Sequence, residues 1–197
     1  MKKLIISVLV IISSFGLYAQ DYEFKTILGS DDIRLTGFGG PFMQFSQVDG
    51  KFAHFMGGGG GLILNDKLIL GGFGNGMTNA IEATKYNEED HKLEFGYGGL
   101  WFAYIISGRQ AIHPVIHLQT GWGGINLIDQ GENSIQNDFV TVFTPIIELE
   151  MNITQFFRMA IGASYRYTVG VGAIDGYTDD MDFSGPGGFL SFKFGWF

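Results

Sequence analysis

The residues of this sequence best suited to chemistry are histidines, carboxylates and arginines at alternate positions. His113 and His117 lie in "AIHPVIHLQTGWGG", and Glu148 and Glu150 lie in "FVTVFTPIIELEM". Alternate residues of a β-strand point to the same face, so each pair would share one face. A histidine beside a carboxylate could support hydrolysis by acid–base catalysis, or it could line a gated polar path.

The same residues also fit a purely structural role. Buried charges need partners, and an ion network can plug a narrow interior. Across the short "TQ" turn, Glu150 would fall roughly opposite Arg158. We therefore predict a structural polar network inside the protein, made of His113, His117, Glu148, Glu150, Arg158 and Arg166.

A second polar cluster is acidic. The stretch "DGYTDDMDFSGPGG" contains Asp175, Asp179, Asp180 and Asp182. Clustered carboxylates can hold Ca²⁺ through oxygen ligands, but the spacing of an EF-hand is absent. A solvated acidic external loop, which also resists aggregation, is the other interpretation. We predict such a loop, without a bound metal.

The first residues have the layout of a secretory signal peptide. Lys2 and Lys3 precede an apolar core at 4–17, and Ala19 places a small residue before a cleavage point. This core is shorter than the about 20 residues of a membrane-spanning helix. An uncleaved anchor is the alternative. The predicted organisation is a signal peptide at 1–19, a lead-in at 20–32 and a single domain at 33–197.

The exported chain is acidic, hydrophobic and free of cysteine. Removing Lys2 and Lys3 leaves ten basic residues against twenty acidic ones, which argues against nucleic acid as a partner. The sequence is 46% hydrophobic with nineteen Phe, yet no apolar run after the signal exceeds about seven residues. This combination is typical of a transmembrane β-barrel, whose strands alternate between two faces.

Turn signals divide the chain into eight segments of alternating character. From the second connector onwards, short and long connectors alternate, as do the short periplasmic turns and long external loops of outer-membrane barrels. The sequence therefore predicts an all-β, eight-stranded antiparallel up-and-down transmembrane barrel with both termini, and the lead-in, in the periplasm. The segments are Ile33–Val48, Phe52–Leu64, Lys67–Asn79, Lys92–Ile106, Ala111–Leu127, Phe139–Ile153, Phe156–Val171 and Gly188–Phe197.

Side-chain size decides which face of each segment is inside. In "FRMAIGASYRYTVGV" one face carries Met159, Ile161 and Tyr165, and the other carries glycine, serine and two arginines. An eight-stranded barrel has a bore just wide enough for side chains, so the small and ionic face fits there. Arginine facing lipid would cost about 2–4 kcal/mol near the bilayer midplane. A soluble calycin-type barrel is the alternative, but it would place the glycines in water without a reason.

The stretch "HFMGGGGGLILNDKLILGGFGNG" is too hydrophobic for a flexible linker. Glycine in the second and third segments would let bulky residues such as Phe38 or Phe42 fill the bore, and would permit the coiling of a small barrel. The same run leaves glycine on the outer wall, where it could form a groove for a partner barrel or a lipid chain. The members of this possible contact wall are Gly57, Gly58, Gly59, Gly60 and Gly61.

The end of the chain, "GGFLSFKFGWF", alternates bulky and small residues and stops at an aromatic residue. It is similar to the signal by which outer-membrane barrels reach their assembly machinery. Over its exported length the chain resembles the small OmpA/OmpX-type eight-stranded outer-membrane barrels, in particular a functionally uncharacterised subgroup. This resemblance implies the outer membrane of a Gram-negative bacterium. It implies no single activity, because such barrels serve adhesion, anchoring, complex assembly and enzymology.

Three functional hypotheses remain. The first is a non-catalytic accessory or scaffold subunit of an envelope complex, in contact with outer-membrane lipid and a larger outer-membrane protein. The second is a surface-binding barrel, an adhesin or ligand receptor, that acts through its long loops. The third is a lipid-modifying enzyme, which needs a histidine with Ser or Asp/Glu near the outer rim. Ser164 falls in the upper half but His113 falls low, and no G-x-S-x-G motif is present, so we predict no enzyme and no cofactor.

Overall fold

A computed structural model of the chain describes residues 33–86, 91–129, 131 and 133–197. The predicted signal peptide and lead-in, residues 1–32, lie outside the described residues. In the described ranges, no helix has the length and apolar character needed to cross a membrane. The secondary structure there consists of nine strands and one short 3₁₀ helix, Asp180–Phe183.

Eight of the strands close into an antiparallel barrel, as the sequence predicts. Each strand pairs with its sequence neighbours, and β1 pairs with β9 to close the ring. The two-residue β4 only prolongs the pairing along β5. The strands are β1 Leu35–Val48, β2 Lys51–Leu64, β3 Leu68–Met77, β4 Ile81–Glu82, β5 Lys92–Ile105, β6 Ile112–Ile128, β7 Ser134–Asn152, β8 Phe157–Val169 and β9 Gly185–Trp196.

The two ends of the barrel differ. We call the end with the connectors 65–67, 106–111 and 153–156 the turn end, and the other end the loop end. The connector between β6 and β7 is shorter than predicted. β7 begins at Ser134 rather than Phe139, and the polar residues before Phe139 pair with β6 up to Ile128. The sequence before Phe139 resembles a loop because residues 134–138 of β7 are mostly polar.

The outside of the barrel is apolar, and its exposed residues alternate with buried ones. On β7, for example, Phe139, Ile147 and Leu149 are 72%, 64% and 47% exposed, whereas Val140 and Ile146 are buried. Exposed aliphatic and aromatic side chains recur on every long strand. A water-soluble surface rarely carries such a continuous apolar area. This sidedness is that of a transmembrane barrel, with its bulky residues facing the acyl chains.

The bore is filled with side chains and has a layered composition. Its middle contains a cluster of aromatic rings in which Phe42 lies 5.8 Å from Trp101 and 5.4 Å from Phe189, between ring centroids. Glycine residues on β2 leave the space that these rings occupy. A Cβ atom at Gly59 would lie 2.9 Å from the Trp101 ring, so only glycine leaves room for the indole. Most of the charged residues of the bore lie between the aromatic layer and the turn end.

Candidate functional site

The charged residues in the turn-end half form a cluster around two carboxylates. Glu148 is buried and contacts Lys193, which approaches its Oε1 atom. Its Oε1 atom also lies 2.7 Å from His117 Nε2, and its Oε2 atom accepts a hydrogen bond from Ser191 Oγ at 3.3 Å. The carboxylate of Glu148 on β7 is thus contacted by residues of β6 and of β9, which lies beyond β8.

The second carboxylate, Glu150, has three basic neighbours. Lys193 Nζ donates to its Oε2 atom at 2.5 Å, and Arg158 Nη1 donates to its Oε1 atom at 2.9 Å. The Nε2 atom of His113 lies 3.1 Å from the same Oε1 atom. Lys193 therefore bridges both glutamates, and the two negative charges are matched by two permanent positive charges. We call these residues the charge cluster: His113, His117, Glu148, Glu150, Arg158 and Lys193.

The tautomer of His117 follows from its partners. Trp101 Nε1 can only donate, and it lies 2.7 Å from His117 Nδ1, which must therefore accept. The proton of a neutral His117 is then on Nε2, which lies 2.7 Å from Glu148 Oε1 but outside hydrogen-bond geometry. Both ring nitrogens of His113 face acceptors, because Nδ1 lies 3.1 Å from the carbonyl oxygen of Gln110. The two histidines are held beside carboxylates and not as bases beside a nucleophile.

The predicted network included Arg166, and the structure corrects this. Arg166 is buried in the loop-end half of the bore, away from the charge cluster. Its Nε atom donates to the carbonyl oxygen of Phe183 at 2.8 Å, and Nη2 donates to that of Gln47 at 2.7 Å. Its guanidinium also lies over the Phe55 ring at 4.5 Å. Arg166 lies eight positions after Arg158 on β8. The length of extended strand between them places the two side chains at opposite ends of the bore.

Two members of the interior site were not among the predicted site residues. Lys193 could have been found, because it lies on the small-residue face of the last segment, the face assigned to the bore. A buried lysine on β9 next to β8 and β7 needs a carboxylate partner. Trp101, in contrast, carried no signal. Its segment is apolar on both faces, and only the tertiary structure shows that the indole points inward towards His117.

The acidic residues at the loop end do not form an open cluster of carboxylates. Asp180 Oδ1 accepts hydrogen bonds from the backbone of Gly170 and Val171, both at 2.9 Å. Asp179 accepts from the backbone of Met181, and Asp175 pairs with Gln136 in both directions. Among the described residues no group of three or more His, Asp or Glu side chains is placed to hold a metal ion.

The remaining aspartate, Asp182, links two connectors across the loop end. Lys85 Nζ donates to Asp182 at 2.5 Å and lies 3.9 Å from Asp49, while the Tyr177 hydroxyl donates to Asp49 at 2.9 Å. The hydrogen bond from Lys85 to Asp182 raises the pKa of Lys85. Burial raises the pKa of Tyr177 to about 12. With Phe183 buried beneath them, these connectors cover the bore.

The glycines of the predicted contact wall do not form one surface, which corrects that prediction. They alternate, so Gly57, Gly59 and Gly61 share the inward face of Phe55 and Ile63. Gly58 and Gly60 share the outward face of Met56 and Leu62. The outward glycines continue sideways onto neighbouring strands through the strand register. Their pairs are Gly58 with Gly74, Gly74 with Gly98, Gly60 with Gly39 and Gly72, and Gly76 with Gly96.

Comparison with known proteins identifies the fold. No protein-family model matches the chain, and no curated protein matches it. Neisserial surface protein A (NspA) superposes with a TM-score of 0.61 at 9% identity, over 83% of this chain and 99% of that chain. Ail, the attachment invasion locus protein of Yersinia pestis, solved with the heparin analogue sucrose octasulfate, gives 0.48 and 13%, over 82% and 97%. This chain therefore has the fold of the small eight-stranded outer-membrane β-barrels.

Proposed function

We propose that the protein is a non-catalytic scaffold or accessory barrel of the outer membrane, which binds a larger membrane protein through its glycine-bearing wall. The orientation that goes with this proposal has both termini and the turn end in the periplasm. In this proposal the charge cluster is structural, because each carboxylate has several basic partners and the aromatic rings fill the bore on its loop-end side.

The observation that carries the proposal is the difference between inward and outward glycines. Inward glycines are required by the packing of the barrel itself, as at Gly59 below Trp101. Among the described residues, a Cβ atom at Gly74 or Gly76 would meet nothing within 4 Å. Two outward glycines, Gly60 and Gly98, are confined by backbone oxygens at 2.5 and 2.8 Å, as inward glycines are. At the outward glycines Gly39, Gly58, Gly72 and Gly96 the nearest contact of a Cβ atom would be 3.4–3.7 Å away. We call these six the outer glycine patch: Gly39, Gly58, Gly72, Gly74, Gly76 and Gly96.

The patch has the properties of a contact surface for another protein. Glycine within a strand costs stability, and here no internal contact repays it. It also removes side chains that would hold a partner away, so that another backbone or a bulky side chain can approach closely. Large apolar residues border the patch, including Leu62, Leu70 and Leu100, each about half exposed. A bulky apolar ridge on a partner barrel would fit between them.

The test is recovery of a stoichiometric partner in mild detergent and its dependence on the patch. We expect one outer-membrane protein to co-purify with the wild-type chain and to be lost when Gly74 is replaced by Leu. A photo-cross-linking residue at position 74 should label the same protein in intact cells. The matched control is Ile147→Leu on β7, which changes an outward residue on the opposite wall. Loss of the partner from this control as well would contradict the proposal.

A second candidate function is a surface-binding barrel. Neisserial surface protein A is, as its name says, a surface protein, and the present chain shares its fold. The loop end is held rigidly by hydrogen bonds between connectors, and the β6–β7 hairpin exposes Ile135. A pre-organised surface lowers the cost of binding a ligand. Whole-cell binding by an Ile135→Asp variant tests this function. Reduced binding with the co-purified partner retained would favour the second candidate over the first.

A further inference from the structure

A cavity of about 400 Å³ opens at the turn end of the bore. Thr36, Ile63 and Ile105 form part of its wall, and Arg158 of the charge cluster lies on its inner side. The residues next to Thr36 and Ile63 in sequence, Leu35 and Leu62, are exposed on the outer wall. The cavity therefore faces the bore and the water at its mouth, and not the acyl chains. Its volume is in the range of sites for small molecules.

The lining is basic. Arg34, Arg109 and Arg158 contribute three guanidinium groups, and Asp66 is the one carboxylate among the lining residues. The charge of Arg158 is already paired with Glu150, and Asp66 balances one of the other two arginines, since Arg34 lies 3.0 Å from it and Arg109 lies 3.8 Å from it. Guanidinium groups match the planar geometry of a carboxylate and bind it in a bidentate manner. An anion is the ligand class that this charge favours.

Three polar atoms of the lining are buried and, among the residues that the structure describes, have no hydrogen-bond partner. They are Arg158 Nε, Thr36 Oγ1 and Asn152 Oδ1. Arg158 is 8% exposed, and its guanidinium is fixed between Glu150 on Nη1 and the Phe197 ring, 3.8 Å from the guanidinium carbon. A buried polar atom without a partner is costly, so each of these atoms indicates a missing ligand group.

The three unpartnered atoms also indicate which hydrogen-bonding groups a ligand would need. Arg158 Nε is a donor and needs an acceptor, whereas Asn152 Oδ1 is an acceptor and needs a donor. Thr36 Oγ1 can serve either kind of ligand group. The amide nitrogen of Asn152 is already used, since it donates to the carbonyl oxygens of Gly108 and Gln110 at 3.0 and 2.8 Å. A ligand that satisfies this lining has an anionic end and an N–H or O–H donor nearby.

We propose that this cavity is a binding site for the carboxylate end of a short peptide. The carboxylate would be bound by Arg34, Arg109 and Arg158 Nε. The peptide N–H groups would donate to Asn152 Oδ1 and Thr36 Oγ1. Inorganic phosphate carries its charge and its O–H donors on one small group and has no N–H donors, so it serves as the comparison ligand.

The test uses the folded exported chain in detergent micelles and N-acetyl-Ala-Ala as the probe, with backbone amide shifts as the readout. We expect saturable shifts at Thr36, Gly108 and Asn152. The matched probe, N-acetyl-Ala-Ala-amide, has the same size and donors but no charge, and it should bind at least about tenfold more weakly, because charge-assisted hydrogen bonds are lost. Inorganic phosphate at the same concentration should cause smaller shifts and should not displace the peptide.

Two variants locate the site. Arg109 is largely exposed, so Arg109→Gln should leave the barrel folded while it weakens peptide binding by about fivefold, a small effect expected for an exposed charge. Thr36→Val keeps the side-chain volume and removes the hydroxyl, and should also weaken binding. The control is Lys67→Gln, which removes a positive charge on the same turn as Asp66. Lys67 lines an adjoining pocket but is not part of the lining of this cavity.

Three outcomes would overturn the proposal. The first is no saturable binding of N-acetyl-Ala-Ala to the folded wild-type chain. The second is equal affinity for the peptide and its amide, or for phosphate and the peptide. The third is a loss of affinity in Lys67→Gln as large as in Arg109→Gln, which would indicate a general charge effect.

Discussion

The two halves of the barrel wall fill one bore in opposite ways. On β1–β3 and β5, the glycine-rich wall, inward glycines face large aromatic side chains such as Trp101 and Phe42. On β6–β9, the charged wall, the inward positions carry the charge cluster, and the outward positions are bulky and apolar. The barrel itself therefore explains the residues on both faces of the charged wall. On the glycine-rich wall, the outer glycine patch has no such explanation within the barrel.

This difference shows how glycine can be interpreted in a barrel. A glycine that faces a crowded bore is explained by volume, because any side chain would collide with its neighbour. A glycine that faces outward with open space above it is not explained by the barrel itself. The comparison thus separates residues required for folding from residues available for binding, within one run of five glycines.

The largest expected effect comes from breaking the charged wall. Glu150→Ala leaves Arg158 and His113 without their carboxylate partner and leaves Lys193 with Glu148 alone, and an unpaired buried charge costs about 3–5 kcal/mol. Urea unfolding in detergent or lipid should show this loss. Glu94→Ala, an exposed carboxylate on β5, is the control and should unfold as the wild type does. Unchanged stability together with loss of a measurable activity would contradict the structural role.

Overfilling the bore from the glycine-rich wall should have the second largest effect. Gly59→Val would place a side chain against the Trp101 ring, and overpacking of this kind costs about 1–3 kcal/mol. Gly58→Val is the matched control, because its Cβ atom would meet only the Gly40 carbonyl oxygen, at 3.5 Å. Unfolding midpoints of the two variants measure the difference. Equal midpoints would show that the two faces of the run are equivalent.

A smaller effect is expected where connectors of the two walls join at the loop end. The pKa of Tyr177 in the folded state is raised to about 12. The stability that this residue contributes is therefore fully present below the ordinary pKa of tyrosine and is lost as the pH rises towards 12. The pKa of Lys85 is also raised, so the stability that Lys85 contributes is likewise lost as the pH rises. Tyr177→Phe removes a hydroxyl that donates to Asp49 and accepts from the backbone N–H of Lys85, and each of these hydrogen bonds is worth about 1 kcal/mol. Urea unfolding at pH 9 and pH 11.5 should therefore show a smaller pH-dependent loss in Tyr177→Phe than in the wild type. Tyr104→Phe, on the outer wall, should keep the wild-type difference between the two pH values.

The smallest effect on stability is expected at the outer glycine patch. Gly74→Ala adds a methyl group in open space, and its change in unfolding free energy should lie within about 0.5 kcal/mol. Alanine in place of glycine also reduces the entropy of the unfolded chain, so a slight gain is the expected sign. A destabilisation as large as that of Gly59→Val would indicate an internal role for the patch. It would also remove the argument for a partner on this wall.

The sequence by itself determined the number of strands, their approximate bounds and their sidedness. The reason is that alternation of side chains along a strand is a local property with a fixed period of two residues. The same period placed Glu148, Glu150, His113 and His117 on inward faces. The extension of β7 to Ser134 was missed because strand pairing beyond the bilayer needs no apolar face.

Only the tertiary structure decided which inward residues meet. The rise along β8 separates Arg166 from Arg158, and the register between β7, β8 and β9 brings Lys193 between the two glutamates. The same register lines up outward glycines from separate strands into one patch. Contacts of this kind depend on the stagger of strands around a closed ring, and this stagger is set by all the strands together. No single stretch of sequence encodes it.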